Sequence, residues 1–229
     1  EIAQAICPRW QLEDALLEDL TCLAYRLGSQ FAVAQYQAGG TEALDELILR
    51  PPRSTEQLLD HERYVAFEQP VLLAPLTPEL GDDWVLTTTE TLGQALMGVV
   101  LAEWLELPDG ELAEVVGWGG DLLQVWQGPE AGTLAVWQIA WDDNSAAVRT
   151  YGALKDVLPR PLVPGRITDT TAAAGLPRGR WWAGRQGAAF LYRRSDTLWL
   201  IWGTDAAPVE IAATALEQAT DLEVTGTTP

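Results

Sequence analysis

Apolar residues recur at steps of three and four along the first part of the chain, between Gln11 and Tyr36. The residues in register are Leu12, Leu16, Leu20, Leu23, Leu27, Phe31 and Ala34. This period predicts an amphipathic helix, which the Gly39-Gly40 pair ends. A second helix is predicted over 42–49. The sequence Ser54-Thr55-Glu56-Gln57 is typical of a capping box, in which Ser54 and Gln57 satisfy amides at the start of a third helix.

A fourth helix is predicted over 90–107, after a stretch around Trp84 that is a loop or one extended strand. Beyond the turn at Pro108-Asp109-Gly110, the period changes from three or four to two. The pattern there indicates strand, strand and helix, and then the same order again. The predicted strands are 122–126, 134–141, 188–192 and 197–202, and the predicted helices are 145–157 and 207–219.

The sequence therefore predicts an α+β fold with two regions. Residues 1–110 form a mainly helical region, and residues 111–229 hold two ββα units, 117–158 and 181–220, joined by a Pro/Gly-rich linker. The pattern leaves open whether the two units pair their sheets back to back or edge to edge.

Composition narrows the classes of partner. The chain has 229 residues, of which 48% are hydrophobic, so it has enough apolar side chains for a sizeable core. Its net charge of −19 and pI near 4.2 argue against nucleic acid and anionic lipid surfaces, which repel a negative field. No apolar stretch is long enough to predict a membrane span.

The beginning of the chain offers few clues. It opens with Glu1 and lacks a basic, signal-type start, so we expect a mature or trimmed product. Cys7 and Cys22 form either a disulfide, which would indicate an oxidising compartment, or two buried free thiols.

Candidate catalytic chemistry is sparse. His61 is the only histidine, which removes arrangements that need two imidazoles. A Cys22–His61 nucleophilic pair is one hypothesis, but Cys22 lies on a helical face among leucines, where cysteine acts as a small hydrophobe. His61 also neighbours Asp60, and such adjacent pairs are commonly surface ion pairs. We predict no catalytic residue, no metal site and no cofactor.

Other motifs have structural interpretations. The acidic clusters Glu79-Asp82-Asp83 and Asp142-Asp143-Asn144 lack the spacing of a calcium loop and favour capping and solvation. The glycine runs 117–120 and 184–187 precede strands and are interpreted as turns.

Eleven tryptophans are many for this length. Most are expected in the core between sheet and helix, but an exposed tryptophan can hold a sugar or a peptide. Trp181 and Trp182 are the best candidates for exposure, because adjacent residues face opposite sides of a strand.

The segment LAYRLGSQFAVAQYQAGGTEALDELILRPPRSTEQLLDHERY, Leu23 to Tyr64, resembles the part that follows the zinc site in a family of bacterial, often secreted, gluzincin-like His-Glu-x-x-His proteins. Further similar residues are Thr91-Leu92-Gly93, Gly117-Trp118-Gly119-Gly120-Asp121, Trp137 and Trp141-Asp142. The resemblance covers Leu23 to Leu154. It implies an extracytoplasmic, peptidase-like scaffold in which Ser54, Glu56 and Gln57 shape a loop near a cleft.

The zinc motif itself is missing from this chain, so no catalytic residue carries over, and the family's usual histidine falls at Asp60, one place before His61. A scaffold without its zinc helix would expose an apolar face that needs a partner. We therefore expect a non-catalytic, peptidase-like protein that binds a protein or peptide, with Ser54, Glu56, Gln57, Asp60, His61, Trp181 and Trp182 as candidate binding residues. The alternatives are the C-terminal part of a zinc metallopeptidase and a structural subunit of a larger assembly, and an oligomer is compatible with either.

Overall fold

A computed structural model describes the backbone of residues 15–106, 115–170 and 176–225, and the side chains of 23–106, 115–170 and 176–216. The chain divides into two compact units. A helical unit comprises 1–70 and 92–115, and a sheet unit comprises 71–91 and 116–229. The predicted Cys7–Cys22 disulfide lies outside the described side chains.

The described residues of the helical unit form four helices: α1 (Ala15–Leu49), α2 (Thr55–Leu59), α3 (His61–Ala66) and α4 (Gly93–Leu105). The Gly39-Gly40 pair divides α1 into two arms. Gly40 has φ +66° and ψ −147°, a conformation that glycine adopts without steric cost. The predicted end of the first helix and start of the second are therefore confirmed.

The short helix α2 begins with much of the predicted capping box. The Ser54 hydroxyl accepts from the Gln57 amide at 3.4 Å. The Gln57 side chain does not return to Ser54, however. Its Oε1 accepts from the Arg53 amide at 2.8 Å and its Nε2 donates to the Glu68 carbonyl at 2.6 Å. Gln57 thereby ties the start of α2 to the chain that follows α3.

The sheet unit contains one seven-stranded antiparallel sheet in the order β1-β2-β3-β7-β6-β5-β4. The strands are β1 (Val85–Glu90), β2 (Trp118–Gln127), β3 (Thr133–Trp141), β4 (Ile167–Asp169), β5 (Arg180–Gly184), β6 (Gly187–Arg194) and β7 (Thr197–Gly203). The helices of this unit are α5 (Asn144–Val157), α6 (Pro159–Leu162) and α7 (Ala206–Thr225). The mixed α+β class is confirmed, and the strands of the described residues all lie in one sheet.

Both faces of the central strands β3, β6 and β7 are largely buried. Val136, Phe190 and Ile201 pack in one cluster with residues of α7. Alternate residues on the same strands, such as Trp137 and Leu200, are equally buried but belong to the opposite face. Helix α5 packs on β3, β6 and β7 as α7 does, and it contributes the buried Ala147, Thr150 and Leu154. The two helices therefore cover opposite faces.

The stretch predicted as a Pro/Gly linker contains regular structure. It includes α6 and β4, and Leu162 and Val163 are buried. A three-residue strand is too short to show a period of two, so proline and glycine dominated the sequence pattern there.

The glycine run 117–120 was predicted to be a turn, but part of it lies in a strand. Gly119 and Gly120 lie within β2, where the register with β3 shifts. A Cβ on Gly120 would lie 2.4 Å from the Val71 carbonyl oxygen. Glycine is needed here because another part of the backbone approaches closely. Within the described residues, no helix is long and apolar enough to cross a membrane.

Candidate binding site

A cavity of about 340 Å³ opens on the helical unit. It lies where the Gly39-Gly40 kink turns the second arm of α1 toward α3. Its lining residues are Gln35, Ala38, Gly39, Ala43, Glu46, Arg50, His61, Tyr64 and Val65. The lining mixes small apolar side chains with hydrogen-bonding groups, as in many ligand sites.

His61 is fixed in this cavity by Gln35. The Gln35 Nε2 atom lies 3.0 Å from His61 Nδ1, and Gln35 itself is buried. With the amide nitrogen donating, Nδ1 accepts and the neutral ring carries its proton on Nε2. Gln35 thus holds the orientation of the imidazole while the ring remains accessible.

Tyr64 forms the second fixed part of the wall. Its ring meets Phe31 edge to face at 5.0 Å and 85°, and its hydroxyl donates to the Arg50 carbonyl oxygen at 3.0 Å. The Arg50 guanidinium lies 4.7 Å from the centre of the Phe67 ring and 3.4 Å from Glu46 Oε1. These contacts connect both arms of α1 to α3 around the cavity.

The predicted residues Ser54, Glu56, Gln57 and Asp60 do not line the cavity, and each makes contacts within the fold, although Asp60 is exposed. Ser54 and Asp60 cap α2 and α3, respectively, and Asp60 accepts from the Glu62 amide at 2.9 Å. Glu56 and Gln57 are buried. His61 bonds to Gln35 and not to Asp60, so the neighbouring imidazole and carboxylate do not form a pair.

Three acidic residues around α3 are ion-pair partners of Arg63. Its Nε lies 3.9 Å from Glu56 Oε1 and 3.9 Å from Asp60 Oδ2, and its Nη1 bonds to the Glu68 carboxylate. One guanidinium therefore connects three carboxylates and holds α2, α3 and the following turn together. Of the sequence-predicted binding residues in this unit, His61 is the one that lines the cavity.

Trp181 and Trp182 are not exposed, so that prediction is wrong. Their exposed fractions are 4% and 7%. They do face opposite sides of β5, but both sides of the sheet are covered. Trp181 packs against Phe190, with ring centres 6.4 Å apart. Neither ring is available to stack on a ligand in this conformation.

Sequence reasoning missed Gln35 and Tyr64. Gln35 follows Phe31 by four positions on the apolar face of the first helix, and a polar residue in that register was a usable signal. Tyr64 carried no comparable signal, since its partner carbonyl at Arg50 is fixed by the intervening turn.

A buried polar cluster lies in the sheet unit. Asp121 accepts from Trp118 Nε1 at 3.1 Å and from Trp137 Nε1 at 2.9 Å. The carboxylate is buried and satisfies two indole donors, so the Gly-Trp-Gly-Gly-Asp motif has a structural role. Across the described residues, no three His, Cys, Asp or Glu side chains come together as a metal site would require.

The two units define a mixed α+β protein with a helical cavity and a doubly covered antiparallel sheet. Residues 84–217, more than half of the chain, match the family described as domain of unknown function DUF8575, and the chain belongs to this family. No curated protein shows significant similarity to the chain. The match begins just before β1, so the cavity residues 35–65 lie outside it.

Proposed function

We propose that this chain is a non-catalytic binding protein that takes a protein or peptide partner at the cavity of its helical unit. The observation that carries the proposal is that two side chains of the cavity wall, His61 and Tyr64, are held in position by neighbouring residues. Gln35 orients His61, and Phe31 with the Arg50 carbonyl orients Tyr64. A wall ordered before binding lowers the conformational cost of binding.

The size of the cavity suits one or two side chains of a peptide rather than a large cofactor. Around 300 Å³ is the lower end of small-ligand sites. Val65 lines the cavity and is 65% exposed, and further apolar side chains of α1 are exposed, namely Val33, Tyr36, Ile48 and Leu49. Scattered apolar residues are ordinary, but several on the elements that line one cavity favour a partner surface.

Charge favours a partner that carries basic as well as apolar groups. The chain has a net charge of −19, and Glu46 provides an accessible carboxylate at the cavity. A cationic peptide would be attracted by the overall field and could share the Glu46 carboxylate with Arg50, which lies 3.4 Å from Glu46 Oε1.

The peptidase-like part of the proposal rests on the resemblance of Leu23 to Tyr64 to gluzincin-like proteins. These residues form most of α1, all of α2 and the start of α3, and both α1 and α3 line the cavity. A scaffold descended from a peptidase would retain a cleft for a polypeptide. The extracytoplasmic location remains an expectation from the same resemblance.

Two alternatives make different predictions. If the chain were the C-terminal part of a zinc metallopeptidase whose catalytic helix is not in this chain, a metal-binding helix would be encoded upstream of it. A structural subunit would instead form a stable oligomer whose assembly buries α1, and we expect no such oligomer from the isolated chain.

The test uses a phage-displayed library of 12-residue peptides panned against the intact chain. Selected peptides are then synthesised and their Kd values measured by calorimetry against wild type, Val65→Asp and Val148→Asp. Val65 and Val148 are both exposed helical valines, but Val148 lies on α5 in the sheet unit. We expect Val65→Asp to weaken binding at least about tenfold and Val148→Asp to leave it within about twofold. Failure to enrich any peptide, or equal effects of the two variants, would contradict the proposal.

A further inference from the structure

Residues 71–76 of the sheet unit form no strand and are held chiefly by hydrogen bonds to two glutamine side chains. Leu76 donates its amide to Gln124 Oε1 at 2.7 Å, and Gln124 Nε2 donates to the Leu76 carbonyl oxygen at 3.1 Å. Gln138 Nε2 donates to the Ala74 carbonyl oxygen at 3.0 Å. At the start of the segment, the Val71 amide donates to the Gly119 carbonyl oxygen at 2.7 Å.

The sheet itself positions the two glutamines, independently of the segment. Both are buried, and they lie on adjacent strands β2 and β3 on the same face. Gln138 Oε1 accepts from Trp199 Nε1 at 3.1 Å, which fixes which end of its amide faces Ala74. Buried amides with fixed orientations would be left unsatisfied without a backbone to bind.

The site formed by Gln124 and Gln138, called the groove below, binds the segment through its backbone more than through its side chains. Leu76 is buried in the core cluster beside Trp126, whereas Ala74 and Pro75 are exposed and Leu72 is almost fully so. Recognition therefore depends on one leucine and on the N–H and C=O groups of two residues. An extended peptide from another molecule could satisfy the same requirements.

The family match separates the groove from its occupant. Gln124, Gln138 and Trp199 lie within residues 84–217, while the segment 71–76 precedes them. The segment also begins at the Pro70–Val71 boundary between the two compact units, where the chain passes from one unit to the other. The groove thus lies within the residues that match the family, and the segment that occupies it precedes them, although both belong to the sheet unit.

We infer that the groove around Gln124 and Gln138 is a second peptide-binding site, independent of the helical cavity, for an extended partner segment of the type Ala-Pro-Leu. The chain's own residues 71–76 occupy it in this structure and compete with the partner. The competition is strong because a short tether gives an effective concentration of the order of millimolar.

The test uses the intact chain and a fluorescein-labelled peptide with the sequence of residues 69–80, QPVLLAPLTPEL. Anisotropy is measured with wild type, Leu76→Ala and the double variant Leu76→Ala/Gln124→Ala, after circular dichroism has established that each is folded. Leu76→Ala weakens the internal competitor and leaves the groove intact. We expect it to bind the peptide at least about tenfold more tightly than wild type, and the added Gln124→Ala to abolish this gain.

A control peptide with alanine at the position of Leu76 should not bind. Equal binding to wild type and to the folded Leu76→Ala chain, or binding that survives Gln124→Ala, would overturn the inference. Hydrogen exchange on the wild-type chain gives a second reading that does not depend on variants. Unlabelled peptide at several millimolar should speed exchange of the Leu76 amide and leave the β6 and β7 amides unchanged, and an unchanged Leu76 amide would overturn it as well.

Discussion

Gln35 and His61 meet through Gln35 Nε2 and His61 Nδ1, 3.0 Å apart, and this contact fixes the imidazole against the first arm of α1. The amide is buried and the ring lies in the cavity wall. A histidine held in this manner can present its second nitrogen to a partner without first paying the entropy of being ordered.

We predict that Gln35→Ala lowers the free energy of unfolding by about 1–2 kcal/mol, because a partly buried hydrogen bond and its packing are lost. Urea unfolding followed by circular dichroism measures the change. Gln37→Ala is the matched control, since Gln37 lies two positions further along the same helix and is exposed. If the two variants lose the same amount, the Gln35–His61 contact contributes nothing specific.

Asp121→Ala should destabilise the sheet unit by about 2–4 kcal/mol, because two buried indole donors lose their acceptor. The Trp141 indole N–H is already buried without a hydrogen-bond partner. Trp141→Phe therefore removes no bond, and we expect it to cost less than Trp137→Phe. Thermal unfolding of all three variants measures this, and an equal cost for the two tryptophans would contradict the assigned bonds.

Two glycines should respond to alanine with opposite signs. Gly120→Ala places a Cβ 2.4 Å from the Val71 carbonyl oxygen, and the overlap should cost about 1–3 kcal/mol or more. Gly152 lies inside α5 with nothing within 4 Å of an added Cβ. Gly152→Ala should stabilise by about 0.5–1 kcal/mol, because alanine is the better helix former. Chemical denaturation decides both signs.

We predict that protonation of Asp143 lowers the stability of the protein in acid. Hydrogen bonds from the Ser145 hydroxyl and the Ala146 amide lower the pKa of this helix-capping carboxyl below 3.8. Since its folded pKa lies below the unfolded one, the stabilisation is present above the unfolded value and is lost as pH falls through the folded value. Asn is also a good cap but does not titrate.

The difference in unfolding free energy between wild type and Asp143→Asn should therefore be constant from pH 7 to 5 and change below about pH 3.8 in favour of the variant. Unfolding in urea at a series of pH values measures it. A difference that stays flat to pH 2.5 would show that the cap does not perturb Asp143.

The sequence was most informative where the hydrophobic period and the residues that begin or end helices indicate the same boundary. The division of α1 at Gly39-Gly40, the Ser54 cap and the Asp143 cap of α5 depend on neighbouring residues, and all three are present. The single sheet could not be chosen over two sheets, since that choice depends on the pairing of β3 with β7, more than fifty residues apart in the chain.

The candidate site was predictable only in part. His61 was evident because it is the sole histidine, but its partner Gln35 is 26 positions away. The Gly39-Gly40 pair predicts a break between the two arms of α1, but not the direction in which the second arm continues. Trp181 and Trp182 were misjudged because alternation along a strand predicts one exposed face only if one face is uncovered. The glutamines that hold residues 71–76 gave no sequence signal, since an isolated buried amide resembles an exposed one in the sequence.

The most direct test of the proposed cavity uses the sole histidine as its own reporter. A proton–carbon NMR spectrum selected for the histidine Cε1–H group should contain one signal from the intact chain, that of His61. Titration with a peptide selected from the library should shift that signal with the same Kd that calorimetry gives. The same titration of Val65→Asp should leave it nearly unmoved. A peptide that binds by calorimetry while the His61 signal stays in place would show that the partner binds elsewhere, and the central claim would be wrong.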